Sequence, residues 1–240
     1  MELKFERFFF PTLDSTQTYL KKWAERTPLP SGTLVWTSDQ RGGYGRKGTP
    51  WYASPGESLT FSFLLSSPRS PQTLPIRVVV ALYETVKSYS RFPLFIKWPN
   101  DIWCEQGKIG GILVESKQQG NRVSHAFIGV GVNVYQREFP SHLTAASLAQ
   151  IGEPPCPLEK LLADFEAQFS HWYFAPEEEV KERFLCNLWR TGYFLIEGKQ
   201  LEGTILDWSS GGYITLQTDG GVCVVPAATL RMICPFPFLR

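Results

Sequence analysis

The pattern of apolar residues changes near residue 190, and this change constrains the fold more than any other feature of the sequence. Before that point, stretches with the two-residue period of strands alternate with stretches that have helical spacing. From Gly192 onward, short strand-like runs are separated by turn residues. These turn signals are Glu197-Gly198, Ser209 to Gly212 and Asp219-Gly220. The sequence therefore predicts an α+β domain over residues 1–190 and a small β-barrel over residues 191–240.

Local signals predict the elements of the first 190 residues. Asp14 and Ser15 are candidate N-caps of a helix that ends before Pro28. A second helix follows Pro75, and its buried face is formed by Ile76, Val79, Val80, Tyr83 and Val86. Strands are predicted over residues 4–10, 33–37, 58–65, 95–98, 102–104, 109–115 and 123–134. Further helices are predicted over residues 144–151, 158–173 and 177–189.

The charge balance and the cysteine pattern disfavour several classes of protein. Among 240 residues, 24 are Lys or Arg and 23 are Asp or Glu, and the net charge of +1 disfavours a dedicated nucleic-acid binder. No apolar run reaches about 18 residues, the length of a membrane span, and MELKFERFFF lacks the features of a signal peptide. The five cysteines form no CxxC pair, and the three histidines show no metal-ligand spacing. We therefore expect a reduced, cytoplasmic protein.

Residues 39–51, DQRGGYGRKGTPW, form the most unusual segment. Its glycines expose backbone N–H groups that can approach a phosphate, and Arg46 and Lys47 add positive charge. Three of the glycines match G-x-G-x-x-G, but Pro50 excludes the helix that a dinucleotide-binding fingerprint needs. A kinase is excluded because no HRD or DFG triplet occurs. The segment is either a solvated surface loop or a binding loop, and its length favours the binding loop.

Residues 96–103, IKWPNDIW, place polar side chains in a turn between two predicted strands. Asn100 and Asp101 either bond to their own backbone, as turn residues do, or face a pocket together with Lys97. In the second interpretation Asn100 and Asp101 can hold Mg²⁺, which prefers one or two carboxylates plus phosphate oxygens. Lys108 begins the next predicted strand, where it needs a charged partner or a surface position.

Two further segments carry polar groups in apolar surroundings. In FIGVGVNV, residues 127–134, the glycines indicate close approach of a ligand or a backbone, and Asn133 is either structural or a ligand contact. In LDSTQ, residues 13–17, Ser15 is either a helix cap alone or, with Thr16, a donor to a small polar group. No Ser/His/Asp set stands out, so an enzyme of this sequence would work by positioning and charge neutralisation.

Taken together and in their order, these segments resemble the biotin–protein ligases, also called biotin–[acetyl-CoA-carboxylase] ligases. The matching segments are DST at residues 14–16, QRGGYGRKGTPW at 40–51, KWPND at 97–101, KIGGILVE at 108–115 and GVGVN at 129–133. The resemblance implies a class II aminoacyl-tRNA-synthetase-like mixed sheet with helices, followed by an SH3-like β-barrel. Because the motifs begin at residue 14, it also implies the short class that lacks the family's N-terminal DNA-binding domain.

The reaction that this resemblance implies has two steps. Biotin and Mg–ATP give biotinyl-5′-adenylate and pyrophosphate, and the biotinyl group then passes to one lysine of the biotin carboxyl carrier domain of a carboxylase. Biotin, ATP and Mg²⁺ are therefore the implied small molecules, and the carrier domain is the implied protein partner. Neither DNA nor a membrane is an expected partner.

The resemblance also implies roles for individual residues of this sequence. Those implied for biotin are Ser15, Thr16, Gln17, Gln40, Gly43, Tyr44, Gly45, Arg46, Lys108 and Gly111. Those implied for ATP are Lys47, Trp51, Lys97, Asn100, Asp101 and Asn133. Asn100 and Asp101 are also implied for Mg²⁺. Lys108 and Arg46 are implied as catalytic, because they would counter the charge on the biotin carboxylate and the α-phosphate.

Three positions depart from the family pattern. Gln17 stands where many members have Asn, Tyr44 where many have Arg, and Ala227-Ala228 where a glycine-containing turn is common. The missing arginine at position 44 is expected to weaken retention of the adenylate, unless Arg41 or Lys47 substitutes for it.

Two alternative functions stay open at the level of the sequence. A lipoate–protein ligase-like enzyme has a similar fold, although the aromatic residues near KWPND suit a compact bicyclic ligand. A non-enzymatic RNA-associated module would use the GRKG segment and the C-terminal β unit, and the net charge of +1 disfavours it.

Overall fold

The computed structural model of the chain describes residues 3–152 and 156–234 and contains two β-sheets. The strands of the larger sheet are β1 (Glu6–Leu13), β2 (Thr33–Gln40), β3 (Ser58–Ser66), β4 (Phe95–Lys97), β5 (Asp101–Cys104), β6 (Gly107–Gln119) and β7 (Arg122–Asn133). The helices are α1 (Thr16–Arg26), α2 (Leu74–Lys87), α3 (Leu148–Ile151), α4 (Leu158–Phe174) and α5 (Glu177–Asn187). The smaller sheet contains β8 (Thr191–Ile196), β9 (Lys199–Ser209), β10 (Tyr213–Thr218), β11 (Gly221–Pro226) and β12 (Arg231–Cys234).

The larger sheet is mixed, as the resemblance to the biotin–protein ligases implies. Its strand order is β1-β2-β3-β7-β6-β5-β4, with β1 and β2 parallel and the other neighbours antiparallel. Strand β3 lies in the interior of the sheet, and eight of its nine residues are buried. This order brings the glycine-containing stretches of β6 and β7 into direct pairing, with Gly111 opposite Gly131.

Helices cover both faces of the larger sheet, and the alternation of side chains along β3 explains why. Phe61 and Phe63 point to one face, where their rings lie 5.0 Å from those of Phe165 and Phe169 in α4. Leu64 points to the other face and packs with Leu20 of α1. A fully buried aromatic side chain contributes about 1.5–3 kcal/mol through its burial. This packing holds α1 against the sheet and so fixes the position of its N-terminus.

The helix ends follow the signals in the sequence, with one difference. Ser15 caps α1 by accepting a hydrogen bond from the Thr18 backbone N–H at 3.2 Å, which confirms the predicted cap. The predicted helix over residues 144–151 begins only at Leu148, after a capping box at Ser147. Residues 144–146 are extended instead, because their backbone bonds on both sides of Lys108 replace those of a helix. Among the described helices, none combines the length and the apolar character needed to cross a bilayer.

The smaller sheet confirms the predicted run of C-terminal antiparallel strands but not their closure. Its order is β11-β10-β9-β8-β12, and every neighbouring pair is antiparallel. No ladder joins β11 to β12 among the described residues, so this part of the chain does not show the closure of a barrel. Residues 235–240 of the predicted C-terminal unit lie outside the described residues.

The smaller sheet packs against the larger one near β4. Trp208 of β9 lies with its ring centroid 6.3 Å from that of Phe184 in α5, and both side chains belong to the main apolar core. The indole Nε1 of Trp98 donates to the carbonyl of Leu230 at 3.2 Å. These contacts carry β12 to the turn between β4 and β5, where the KWPND motif lies.

Candidate active site

A cavity of about 360 Å³ opens where the larger sheet, residues 39–51 (the glycine-rich loop) and strand β12 meet. This volume lies in the usual range of small-molecule sites. Most of the residues that the sequence predicts for the site line this cavity. They are Ser15, Thr16, Gln17, Gln40, Tyr44, Gly45, Arg46, Lys47, Trp51, Lys97, Asn100, Asp101, Lys108 and Gly111. Segments that are far apart in the chain therefore converge on one site.

One end of the cavity is built from hydroxyl and amide groups, and we call Ser15, Thr16, Gln17 and Gln40 the amide end. All four side chains are buried. The backbone N–H and the hydroxyl of Thr16 both donate to Gln40 Oε1, at 2.9 and 3.1 Å. Because Oε1 of Gln40 faces these donors, its Nε2 group is left to donate to a ligand. Ser15 Oγ accepts the cap hydrogen bond, so its own O–H also remains available.

The register of β7 places the amide end beside a second group of side chains. Gly129 and Gly131 are two residues apart and therefore face the same side of the sheet. Gln17 lies against Gly129 and the Trp51 ring lies against Gly131, so the two side chains are about 7 Å apart along the strand. The ammonium of Lys108 lies 5.3 Å from the centroid of the Trp51 ring. Lys108 is thus a neighbour of the amide end rather than a distant residue.

Lys108 is held by an ion pair and by the absence of a side chain at Gly111. Its Nζ lies 2.8 Å from Asp101 Oδ1, and both side chains are partly exposed. A Cβ atom at Gly111 would lie 2.8 Å from Asp101 Oδ1 and 3.0 Å from Lys108 Nζ. A side chain at position 111 would therefore displace the ends of both side chains from these positions. At Gly131 a Cβ atom would lie 2.6 Å from the Trp51 ring, so a side chain there would displace the ring.

Positive charge dominates the remainder of the lining, and we call Arg46, Lys47, Lys97, Lys108 and Arg231 the basic wall. Asp101 is the one acidic residue among the described residues that line the cavity. Five cations that face one carboxylate leave the cavity electropositive, which suits a polyphosphate or another multiply charged anion.

Two predicted site residues do not line the cavity. The Asn133 amide donates to the carbonyl of Lys108 at 3.1 Å and to that of Ala146 at 3.0 Å. Asn133 therefore supports the backbone of Lys108 from behind. Gly43 is buried, and it accepts a hydrogen bond from the Trp51 N–H at 2.9 Å, which shapes the loop.

The Asn100 side chain fastens the turn of the KWPND motif to strand β6. Its Nδ2 donates to the carbonyl of Ile112 at 2.8 Å, and the Ile112 N–H donates to the Asn100 carbonyl at 3.0 Å. No cluster of three or more His, Cys, Asp or Glu side chains suited to a metal occurs in the described part of the chain. A magnesium ion that arrives bound to phosphates needs only one or two carboxylates, and Asp101 can supply one. The donor set thus fits a metal that enters with its nucleotide.

Sequence reasoning missed the contribution of the C-terminal strand. Residues 228–233 line the cavity, and among them Arg231 adds positive charge. Lys97 Nζ donates to the carbonyl of Ile233 at 3.4 Å, and it lies 4.3 Å from the centroid of the Trp103 ring. The only signal in the sequence was a basic residue in a short strand near the C-terminus, which does not reveal a partner more than 130 residues away.

The glycine-rich loop folds back on itself over the cavity. Gly45 N–H donates to the carbonyl of Thr49 at 2.7 Å, and Lys47 adopts a positive φ of 56° within a single 3₁₀ turn at Arg46–Gly48. The hydroxyl of Tyr44 reaches Glu115 on β6, with Oη 3.4 Å from Oε2. The predicted binding loop is therefore in contact with strand β6, through a residue that lies outside the cavity lining.

The fold and this site define a class of protein. The sequence model of the Biotin/lipoate A/B protein ligase family matches residues 9–133, which is more than half of the chain. The chain belongs to this family, and the family relationship predicted from the motifs is confirmed.

Individual relatives narrow the comparison to biotin ligases. The chain is 27% identical to the bifunctional ligase/repressor BirA of Bacillus subtilis, over 93% of this chain and 73% of that protein. It is also 27% identical to the biotin--[acetyl-CoA-carboxylase] ligase of Paracoccus denitrificans, over 90% of this chain and 95% of that one. The solved structure of the biotin protein ligase from Aquifex aeolicus in complex with biotin and ATP has the same fold, with a TM-score of 0.80. The two chains are 24% identical in sequence, and the matched region covers 95% of this chain and 98% of the Aquifex aeolicus chain.

Proposed function

We propose that this chain is an ATP-dependent biotin–protein ligase, which activates biotin as biotinyl-5′-adenylate and transfers it to a lysine of a biotin carboxyl carrier domain. One observation carries the proposal. A single cavity combines a buried amide end with a basic wall, and Lys108 lies beside the boundary between them. A ligand with a neutral polar head and a carboxylate tail fits the first part, and a nucleotide triphosphate fits the second.

The amide end suits the ureido ring of biotin. That ring has one carbonyl acceptor and two N–H donors. Gln40 Nε2 and the Ser15 hydroxyl offer donors, and Gln17 Oε1 is a buried acceptor that has no partner among the described residues. Each good hydrogen bond in such a buried site contributes about 0.5–1.5 kcal/mol, and an unpaired group costs more.

The basic wall suits the triphosphate of ATP. In the first step, a biotin carboxylate oxygen attacks the α-phosphorus, a P–O bond forms, and pyrophosphate leaves. Negative charge grows on the α-phosphate during this step, and Lys108 and Arg46 would stabilise it. Asp101 and Asn100 are the residues that would hold Mg²⁺ when it enters with ATP, and the ion would supply positive charge for the leaving pyrophosphate.

The second step needs no nucleophile from this chain. The amine of the acceptor lysine attacks the acyl carbon of the adenylate, and the bond from that carbon to the phosphate oxygen breaks, which releases AMP. The role of the chain is to hold the adenylate and to shield it from water. Trp51 and the glycine-rich loop around Tyr44, Gly45 and Lys47 are suited to that role.

The alternative of a lipoate ligase is not favoured. The family includes both activities, but the dithiolane ring of lipoate has neither N–H nor carbonyl groups. It would leave the buried polar atoms of Gln17 and Gln40 unpaired, at a cost of about 1–3 kcal/mol each. The RNA-associated alternative is also disfavoured, because the cations lie around a cavity rather than on an open face.

The expected setting of the protein is part of the proposal. The four cysteines whose side chains are described are free thiols, which agrees with a reduced cytoplasmic location. The carrier domain as acceptor, and the absence of DNA and membrane partners, remain predictions.

Biotin-dependent exchange of radioactive pyrophosphate into ATP tests the first step, and biotin transfer to a purified carrier domain tests the second. The proposal predicts both activities with biotin and no exchange above background with lipoate. Exchange with lipoate but not with biotin, or no exchange with either while a known ligase works in parallel, would refute it.

A further inference from the structure

The carboxylate of Glu115 lies behind the amide end, and the function proposed above gives it no role. Glu115 is a half-buried residue of β6. One of its oxygens pairs with Lys21 Nζ at 3.1 Å. The other oxygen accepts a hydrogen bond from Gln17 Nε2 at 3.0 Å and faces the Tyr44 hydroxyl at 3.4 Å. This one side chain therefore touches α1, the amide end and the glycine-rich loop.

The contacts of Gln17 determine which end of its amide faces the cavity. Its Nε2 donates to Glu115 Oε2 and to the carbonyl of Phe127, at 3.0 and 3.1 Å. A carboxylate and a carbonyl can only accept, so the nitrogen must occupy this side. The oxygen then lies on the other side, against Gly129 of the cavity lining, where a Cβ atom would lie 3.0 Å away.

The oxygen end of the Gln17 amide is a buried acceptor that lacks a donor in the described part of the chain. Gln17 is 4% exposed, and its Oε1 is buried with no hydrogen-bond partner among the described residues. A buried acceptor without a partner is unfavourable, so a ligand that brings an N–H group to it binds better than one that does not.

We propose that Glu115 is a positioning residue that fixes Gln17 as an acceptor for a ligand N–H and so makes the site selective for a ring urea over an apolar ring. The inference rests on the proposed function, because the urea in question is that of biotin. Glu115 acts through Gln17 and does not itself touch the ligand. Tyr44 shares the same carboxylate oxygen, so the loop that covers the cavity is tied to the group that recognises the ligand.

A double-mutant cycle tests the inference through the KM for biotin in biotin-dependent pyrophosphate exchange. Glu115→Ala is expected to raise the KM for biotin about tenfold, the usual scale for one buried hydrogen bond, with the KM for ATP changed less than about twofold. In a Gln17→Met background, the same Glu115→Ala change is expected to cost less than about twofold, because the residue acts through Gln17. Glu115→Gln, whose carbonyl can still accept from Gln17, should recover most of the affinity for biotin.

Glu166→Ala is the matched control, since Glu166 also forms an ion pair, with Arg7 at 2.7 Å, but on a remote surface. It should leave both KM values unchanged. An equal cost of Glu115→Ala in the wild-type and Gln17→Met backgrounds would overturn the inference. So would an equal rise in the KM values for biotin and ATP, because a general loss of structure has that effect.

Nuclear magnetic resonance of the unliganded protein separates this inference from the proposed function. The side-chain NH₂ protons of Gln17 should be protected from exchange in the wild type and in Glu166→Ala, and the proton that Glu115 accepts should lose that protection in Glu115→Ala, whereas the proton bound to the Phe127 carbonyl keeps its partner. Unchanged protection would contradict the positioning role. Absence of biotin-dependent exchange in the wild type would instead refute the proposed function, and the selection of a urea with it.

Discussion

The amide end and the basic wall are built on opposite principles. The four side chains of the amide end are buried, and three of them are held by hydrogen bonds to one another or to neighbouring strands. In the basic wall, Arg46, Lys47 and Arg231 are exposed, and the five cations come from four separate parts of the chain. A neutral group can be recognised only by fixed partners, whereas a polyphosphate is attracted by charge over a distance. Mutations in the amide end should therefore change the KM for biotin, and mutations in the basic wall should change the KM for ATP.

The largest expected effect is that of Lys108→Ala. Lys108 lies between the Asp101 carboxylate and the Trp51 ring, beside both parts of the cavity. Its loss should slow adenylate formation by about 100-fold or more, as expected when a group that stabilises developing charge is removed. Single-turnover formation of adenylate measures the effect, with Lys117→Ala on the exposed part of the same strand as control. An unchanged rate would remove Lys108 from the mechanism.

Gln40→Leu should change the KM for biotin and leave the KM for ATP unchanged. Leucine keeps the volume but removes the acceptor for both Thr16 donors and the donor for the ligand. The KM for biotin should rise about tenfold or more, because buried partners are left unpaired. Steady-state exchange with each substrate varied in turn gives both KM values. A comparable rise in the KM for ATP would show that the two parts of the cavity are not separate.

Arg231→Ala should raise the KM for ATP rather than the KM for biotin, and the effect should be smaller. The side chain is exposed, and a single solvated charge contributes only about 0.2–1 kcal/mol, so the KM for ATP should rise by a factor of about 1.4 to 5. The KM for biotin should not change. The same exchange assay gives both KM values, and a rise in the KM for biotin alone would contradict the placement of Arg231 in the basic wall.

Salt should affect the KM values for ATP and biotin differently, without any mutation. Raising the ionic strength from about 0.1 to 1 M shortens the Debye length from about 10 to 3 Å and screens the exposed cations. The KM for ATP should rise a few-fold, while the KM for biotin should stay nearly constant. Equal sensitivity of both substrates would indicate that charge also dominates at the amide end.

Local features of the fold could be predicted from the sequence, whereas long-range contacts could not. The Ser15 cap and the strand over residues 58–65 follow from local patterns, and the structure confirms both. The contact between Gln17 and Glu115 joins residues 98 positions apart, and no local pattern reports such a pair. The same is true of Arg231, which reaches the cavity only because the smaller sheet packs beside β4.

The predicted start of α3 is wrong, and the cause is again a long-range contact. Residues 144–151 have a composition compatible with a helix, but residues 144–146 bond to Lys108 in an extended conformation. Tertiary hydrogen bonds replaced the helical ones at the start of this segment, and propensity alone could not anticipate them.

A crystal structure with a non-hydrolysable analogue of biotinyl-5′-adenylate would show directly whether the amide end binds the ureido ring and the basic wall binds the nucleotide. We expect the ureido ring at the amide end, with its carbonyl near Gln40 Nε2 and an N–H near Gln17 Oε1, and the phosphate beside Lys108. A ligand bound in the reverse direction, or outside this cavity, would contradict it.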